Sequence, residues 1–146
     1  MIWHGEYTLD GLNEMTVQDN ILNHLGLKFT EIGPDYLKAA LPVDQRTHQP
    51  YGILHGGATC VLAETLGSVS SIMVIDPKHH HAVGSVITAN HLRPVEKGVI
   101  TRICRPVHLG RTKHVWDIRI TDEQGKLTAK CELTCAVTDK EYNHSR

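Results

Sequence analysis

The sequence predicts an α+β domain whose antiparallel sheet wraps one long central helix, and three observations carry that expectation. From Leu54 to Ile75 the chain is apolar or small almost throughout, with Glu64 its only certain charge, and a helix of that kind is buried on most sides. Downstream, the chain alternates: Leu127, Ala129, Cys131, Leu133, Cys135 and Val137 interleave with Thr128, Lys130, Glu132, Thr134 and Thr138. That pattern belongs to strands with one covered and one wetter face. The connections between the later segments are short, which suits antiparallel neighbours, because parallel ones need crossovers of about a dozen residues or more. A sheet curled around a single helix satisfies both the burial of the helix and the alternation of the strands.

Taken in order, Thr8 to Leu25 carries a weak helical period through Leu12, Met15, Ile21, Leu22 and Leu25, which predicts one or two short helices. Leu27 to Ile32 and Tyr36 to Val43 read as a hairpin joined by Gly33-Pro34-Asp35, where glycine and proline play their usual turn roles. Asp44 to Ile53 has no period and contains Pro50 and Gly52, so it reads as a loop delivering the chain to the long helix. That helix stops at Asp76-Pro77, since proline cannot continue it and restricts the residue before it. Lys78 to His81 reads as an exposed connection, and Ala82 to Leu92, Val99 to Val107 and His114 to Thr121 as strands rich in β-branched residues. Asp122-Glu123-Gln124-Gly125 is a turn before the last strand. Residues 1–139 thus make one domain and 140–146 a polar tail.

A chain of 146 residues is the size of one domain, able to bury roughly 68 to 70% of its unfolded surface. With 40% hydrophobic and 21% charged residues and a formal net charge of -1, it has the composition of an ordinary globular protein. Clustered Lys and Arg, the footprint of a nucleic-acid binder, are missing from the sequence. Met1-Ile-Trp-His-Gly-Glu lacks the basic and then apolar run of a signal peptide, which predicts a cytoplasmic protein. The 54–75 segment is long enough to span a bilayer, but Gly56, Gly57, Glu64, Gly67, Ser68, Ser70 and Ser71 dilute it too far. Cys60, Cys104, Cys131 and Cys135 read as free core thiols. Cys131 and Cys135 stand about 13 Å apart along one strand and cannot chelate one metal together. His79-His80-His81 fits a solvated loop better than a metal site, and His4, His24, His48, His108 and His114 lack ligand spacing. No metal site is predicted.

The chemistry points to the long helix. His55-Gly56-Gly57 lies where loop becomes helix, and glycine there lets backbone amides meet a ligand without a side chain in the way. The first N–H groups of a helix have no internal acceptor and sit at the positive end of the dipole, which suits an oxyanion. Glu64 follows Gly56 by eight residues, so the two are about 12 Å apart along one helix. They cannot act on one carbonyl within one chain. A second copy of the helix running antiparallel alongside would bring one chain's amide to the other's carboxylate, as in a two-fold dimer with two composite sites. Ser68, one turn beyond Glu64, could orient a water, and Gly57, Cys60, Gly67 and Ser71 read as further small members of the same stripe. The competing reading is a carboxylate paired with a nearby Arg or His and merely tolerated.

Three motifs then carry a resemblance. Gln49 to Ser68 (QPYGILHGGATCVLAETLGS), Ala89 to Pro94 (ANHLRP) and Pro106 to Arg111 (PVHLGR) closely resemble hotdog-fold acyl-CoA thioesterases. The likeness is greatest to the branch of 1,4-dihydroxy-2-naphthoyl-CoA hydrolases of menaquinone synthesis and enterobactin proofreading thioesterases. The resemblance implies a single hotdog domain, dimeric with shared active sites and usually tetrameric, that hydrolyses aromatic acyl-CoA with neither metal nor cofactor, CoA being part of the substrate. It implies Glu64 as general base or nucleophile, and the Gly56 amide of the neighbouring subunit as the group polarising the carbonyl. Gln49 and His55 would hold the thioester, Ser68 would assist the water, and His91 would face the acyl group. CoA contacts fall by resemblance on Gly84, on His91, Leu92, Arg93 and Pro94, and on the loop of His108, Leu109, Gly110, Arg111, Thr112 and Lys113. Arg93, Arg111 and Lys113 are also sensible cations for nucleotide phosphates. An aryl carrier protein is the alternative thioester donor, and a non-catalytic acyl-CoA binding module the alternative function. Thr88, where these relatives usually carry asparagine, and the divergent Asp76–His81 stretch leave the catalytic motif intact and bear on acyl specificity.

Overall fold

The computed structural model describes residues 1–140. Two short helices, α1 (Leu9–Glu14) and α2 (Ile21–Leu25), precede the hairpin of β1 (Lys28–Ile32) and β2 (Leu37–Val43). The long helix α3 (Gly56–Val74) follows, then β3 (His80–His91), β4 (Gly98–Leu109), β5 (Lys113–Thr121) and β6 (Leu127–Asp139). The six strands form one sheet in the order β1-β2-β4-β5-β6-β3, and every neighbouring pair is antiparallel.

Each expected element is present, with shifted ends. The exposed connection expected over Lys78 to His81 is shorter than that, because His80 and His81 already pair with Asp139 and Thr138 as the start of β3. The His80 ring lies 3.2 Å from the Asp139 carboxylate, so only His79 of the three histidines belongs to a loop. The polar tail expected over 140–146 falls outside the described residues except for Lys140, whose amide donates to the His79 carbonyl.

Local chemistry explains the boundaries. Thr8 caps α1, and the Asn20 side chain caps α2 by accepting from the Leu22 and Asn23 amides. At the C-terminus of α2, Gly26 adopts φ 74°, the left-handed conformation that glycine takes without steric cost. Helix α3 lies across the inner face of the sheet, so Leu62, Ala63, Leu66 and Met73 are sealed against Leu41, Ile100, Ile118 and Leu133. Gly67 lets the helix approach closely, since a Cβ there would overlap the Leu133 side chain. Trp116 donates from Nε1 to Ser71 Oγ at 2.7 Å, satisfying two buried polar groups at once. The helix is long and apolar enough to cross a membrane by length and composition alone, but it serves as the core of this fold.

The two sheet edges differ. On β1 the Asn13 side chain accepts from the Phe29 amide and donates to the Phe29 carbonyl, blunting that edge. On β3, twelve residues long, the edge is free among the described residues and carries exposed Val83 and Val86. A long bare edge with apolar side chains is a template for pairing with another strand.

Candidate active site

The chain enters α3 through a loop pinned at three points: the Leu54 amide donates to the Val95 carbonyl at 2.7 Å, and the His55 amide to the Thr47 carbonyl at 2.8 Å. The third is the Gln49 amide, which donates to the Ile53 carbonyl at 2.8 Å. The His55 ring then caps the helix, its Nδ1 accepting from the Gly57 amide at 2.7 Å. That leaves the Gly56 N–H without a protein acceptor among the described residues. Within this chain His55 is thus a helix cap that leaves the Gly56 amide free.

A cleft of about 370 Å³ opens in front of this amide, and Gln49, Gly56, Thr59, His91 and Ala129 line it. A Cβ at Gly56 would come within 3.0 Å of the His91 ring, so the imidazole stands against the helix start across a gap that only glycine leaves open. Leu92, Arg93 and Pro94 continue the same wall. Arg93 is exposed and donates from Nη1 to the Leu127 carbonyl at 2.7 Å, which fixes its guanidinium at the rim. The structure thus gathers Gln49, Gly56 and His91 to Pro94, expected from two separate motifs, into one place.

Glu64 is elsewhere. It is half-buried on a stripe of α3 that includes Gly57, Cys60, Val61, Thr65 and Ser68 and ends at exposed Ile72. Gly67 and Ser71, expected on this stripe, instead face the sheet at Leu133 and Trp116. No salt bridge joins Glu64 to any cation among the described residues. Within one chain, the reading of a structurally paired carboxylate therefore finds no partner among the described residues. Its carboxylate lies over Gly84 of β3, where a side chain would overlap Oε1. Gly84, expected among the CoA contacts, is the seat of the Glu64 carboxylate in this protomer. Beneath it, burial raises the Cys135 thiol against opposing hydrogen bonds from Ser71 and Ser68, and the Glu64 charge raises it further.

The β4–β5 hairpin holds His108 to Lys113, closed by the Gly110 amide donating to the Lys113 carbonyl at 2.8 Å. Leu109, Gly110 and Arg111 border a second cleft of about 320 Å³ with Val74 and Ile75, at the far end of α3. The length of the helix, about 27 Å, separates this loop from Gly56. One protomer therefore contains the parts of the expected site in three places: the amide cleft, the mid-helix carboxylate and the basic hairpin.

One buried residue was missed. Arg102, on β4 between Ile100 and Cys104, is only 2% exposed and points inward. The alternation of β4 carries the signal: Ile100, Arg102 and Cys104 are buried on one face, between the less buried Thr101 and Ile103.

The seat at Gly84 makes a prediction. Gly84→Ala displaces the end of a flexible side chain, so the melting temperature should hardly move, whereas a catalytic carboxylate shifted by an ångström should lower kcat by about 10²-fold. Steady-state kinetics beside a thermal melt checks this, and unchanged kcat would separate Glu64 from the reacting centre.

Comparison with known proteins agrees with this geometry. Residues 51–129, which hold the capped helix, the carboxylate and most of the cleft, match the Thioesterase superfamily. The chain is 44% identical to the proofreading thioesterase EntH of Cronobacter turicensis over 137 residues, 94% of this chain and 98% of that one. The crystal structure of a mutant thioesterase from Pseudomonas aeruginosa superposes with TM-score 0.93 at 42% identity, covering 95% of this chain and 99% of that one. A thioesterase from Haemophilus influenzae superposes with TM-score 0.91 at 40% identity, covering 95% and 96%. A free helix-terminal amide, an unpaired carboxylate on the same helix and these likenesses converge: the chain belongs to the thioesterase superfamily and is a thioester hydrolase of the hotdog fold.

Proposed function

We propose that the protein hydrolyses aromatic acyl-CoA thioesters in the cytoplasm as a two-fold dimer, with each active site built from both chains and dimers pairing into tetramers. The observation that carries this reading is the pair of unpartnered groups on α3, the Gly56 amide and the Glu64 carboxylate, held about 12 Å apart by the helix. Pairing of the bare β3 edges about a two-fold axis would continue the sheet, cover Val83 and Val86, and set the two helices antiparallel. Each amide cleft then faces the partner's carboxylate, and each basic hairpin swings toward the partner's cleft, where Arg111 and Lys113 meet the nucleotide phosphates.

In this arrangement the Gly56 N–H takes the carbonyl oxygen, with Gln49 and His91 shaping the cleft around it. Glu64 either removes a proton from water as the water oxygen bonds to the carbonyl carbon, or attacks that carbon itself. The C–S bond then breaks and the CoA sulfur takes up the proton drawn from water, so that CoA leaves as the thiol; on the direct-attack route water then opens the acyl–Glu64 anhydride, which frees the acid, restores the carboxylate and supplies that proton. These groups supply the whole reaction, and neither metal nor cofactor is required. The acyl group in this reading is of the 1,4-dihydroxy-2-naphthoyl or hydroxybenzoyl type, with menaquinone synthesis as the pathway for the former, and the resemblance of the three sequence motifs supports it. A second reading, release of a misloaded aryl group from a carrier protein, is favoured by the likeness to the EntH proofreading thioesterase.

Free-thiol release from naphthoyl-, benzoyl- and straight-chain acyl-CoA, alongside an aryl-loaded carrier protein, tests both. Aryl-CoA should exceed aliphatic CoA in kcat/KM by about tenfold or more, a difference within what pocket contacts supply. Turnover confined to aliphatic CoA would overturn the aryl assignment, and turnover confined to the carrier protein would favour the second reading.

A further inference from the structure

Arg102 is a charge without an explanation in the fold. It lies on the inner face of β4, in register with Ala39 on one side and Ile120 on the other. Its Nη1 donates to the Thr59 carbonyl at 3.2 Å, while Nε and Nη2 are buried and have no partner. No carboxylate pairs with it among the described residues. Burial pushes the guanidinium down to about 9, so it remains charged at neutral pH, where the thiols of Cys131, Cys104 and Cys60 around it are uncharged and do not compensate it. An uncompensated buried cation is costly, and an apolar side chain of the same volume would usually serve stability as well or better.

Its position ties it to the cleft. Thr59, whose carbonyl it holds, lines the cleft one turn of helix beyond Gly56. Arg102, Ile120, Ala129 and His91 form one cross-sheet row, of which the last two also line the cleft. Ala129 stands two strands away, about 10 Å. The two free donors, Nε and Nη2, form the side edge of the guanidinium, the fork that accepts a carboxylate by two parallel hydrogen bonds.

We propose that Arg102 is a specificity-determining residue that reads a carboxylate brought into the acyl end of the cleft, the guanidinium turning from the Thr59–Ala129 wall to meet it. The carboxylate has two possible sources, a distal acid group on the acyl chain or the acid freed from the thioester. The position of Thr59 a turn deeper than Gly56 favours the distal group. The inference rests on the cleft being the acyl site.

Two aryl thioesters of similar shape decide it, 4-carboxybenzoyl-CoA and 4-methylbenzoyl-CoA, assayed on the full-length enzyme and on Arg102→Met. The wild-type enzyme should favour the carboxylate-bearing substrate in kcat/KM, and Arg102→Met should erode that ratio by about 10- to 100-fold, the worth of hydrogen bonds to a charged group. A structural role would lower both substrates together and leave the ratio alone. If the ratio holds but inhibition by free 4-methylbenzoate weakens by that factor in Arg102→Met, the carboxylate read is the product's. An unchanged ratio with unchanged inhibition overturns the proposal. Arg102→Lys, which keeps the charge and loses the fork, should also erode the ratio and serves if Arg102→Met does not fold. Should neither thioester turn over, the aryl-CoA reading fails on its own. Calorimetric binding of terephthalate against 4-methylbenzoate to wild type and variant then still decides the role of Arg102, equal affinities in both proteins overturning it.

Discussion

Glu64→Ala is expected to lower kcat for aryl-CoA hydrolysis by about 10²- to 10⁴-fold, the usual worth of a positioned general base, with the fold intact. The structure supports both halves of that statement. Removing one member of a buried ion pair strands the other and destabilises strongly, but Glu64 has no ion-pair partner among the described residues. Its carboxylate rests against a glycine, and nothing collapses or is orphaned when it goes. The loss should fall on kcat with KM nearly unmoved, because a base contributes in the transition state rather than in substrate binding. Free-thiol release and a thermal melt on the same preparation give the answer. An alanine variant that turns over at the wild-type rate would remove Glu64 from the mechanism altogether. In the wild-type enzyme, single turnover in oxygen-18 water separates the two roles, since an acyl–Glu64 anhydride opened by water at the Glu64 carbon leaves a Glu64 oxygen in the acid product, whereas general-base action leaves a water oxygen there.

The fold was legible in the sequence because its two periods are clean. The nearly uncharged run of α3 and the alternation of β6 dictate a helix lying in a sheet, and the turn at Gly33-Pro34-Asp35 dictates the first hairpin. The start of β3 was less legible, since three histidines resemble a solvated loop until Asp139 and Thr138 are seen to pair with two of them. In the site, a spacing argument alone established that Gly56 and Glu64 cannot meet in one chain, and the structure keeps them apart. What spacing cannot give is what a side chain rests on. Gly84 as the seat of Glu64 and Arg102 as a buried cation both depend on contacts between segments far apart in sequence, while His55 as a helix cap depends on which way a ring turns within its own loop.

A composite site has a consequence that no single variant reveals. Gly56→Ala keeps the amide N–H but places a methyl 3.0 Å from the His91 ring and crowds the cleft, and a carbonyl held off that amide should lose about 10²- to 10³-fold in kcat, the worth of one oxyanion donor. Both this variant and Glu64→Ala should be nearly inactive alone. A heterodimer of the two, isolated with a different affinity tag on each chain, contains one site with both lesions and one with neither. In the intact site, the amide comes from the Glu64→Ala chain and the carboxylate from the Gly56→Ala chain. That heterodimer should recover about half of the wild-type activity per dimer, as two-fold symmetry with shared sites requires. If amide and carboxylate instead served one site within a single chain, every site in the heterodimer would lack one of them, and activity would stay at the level of the parents. The recovery is large against a background of two inactive variants, and it depends on helix geometry alone: eight residues of α3 put the two groups too far apart for one chain to use both.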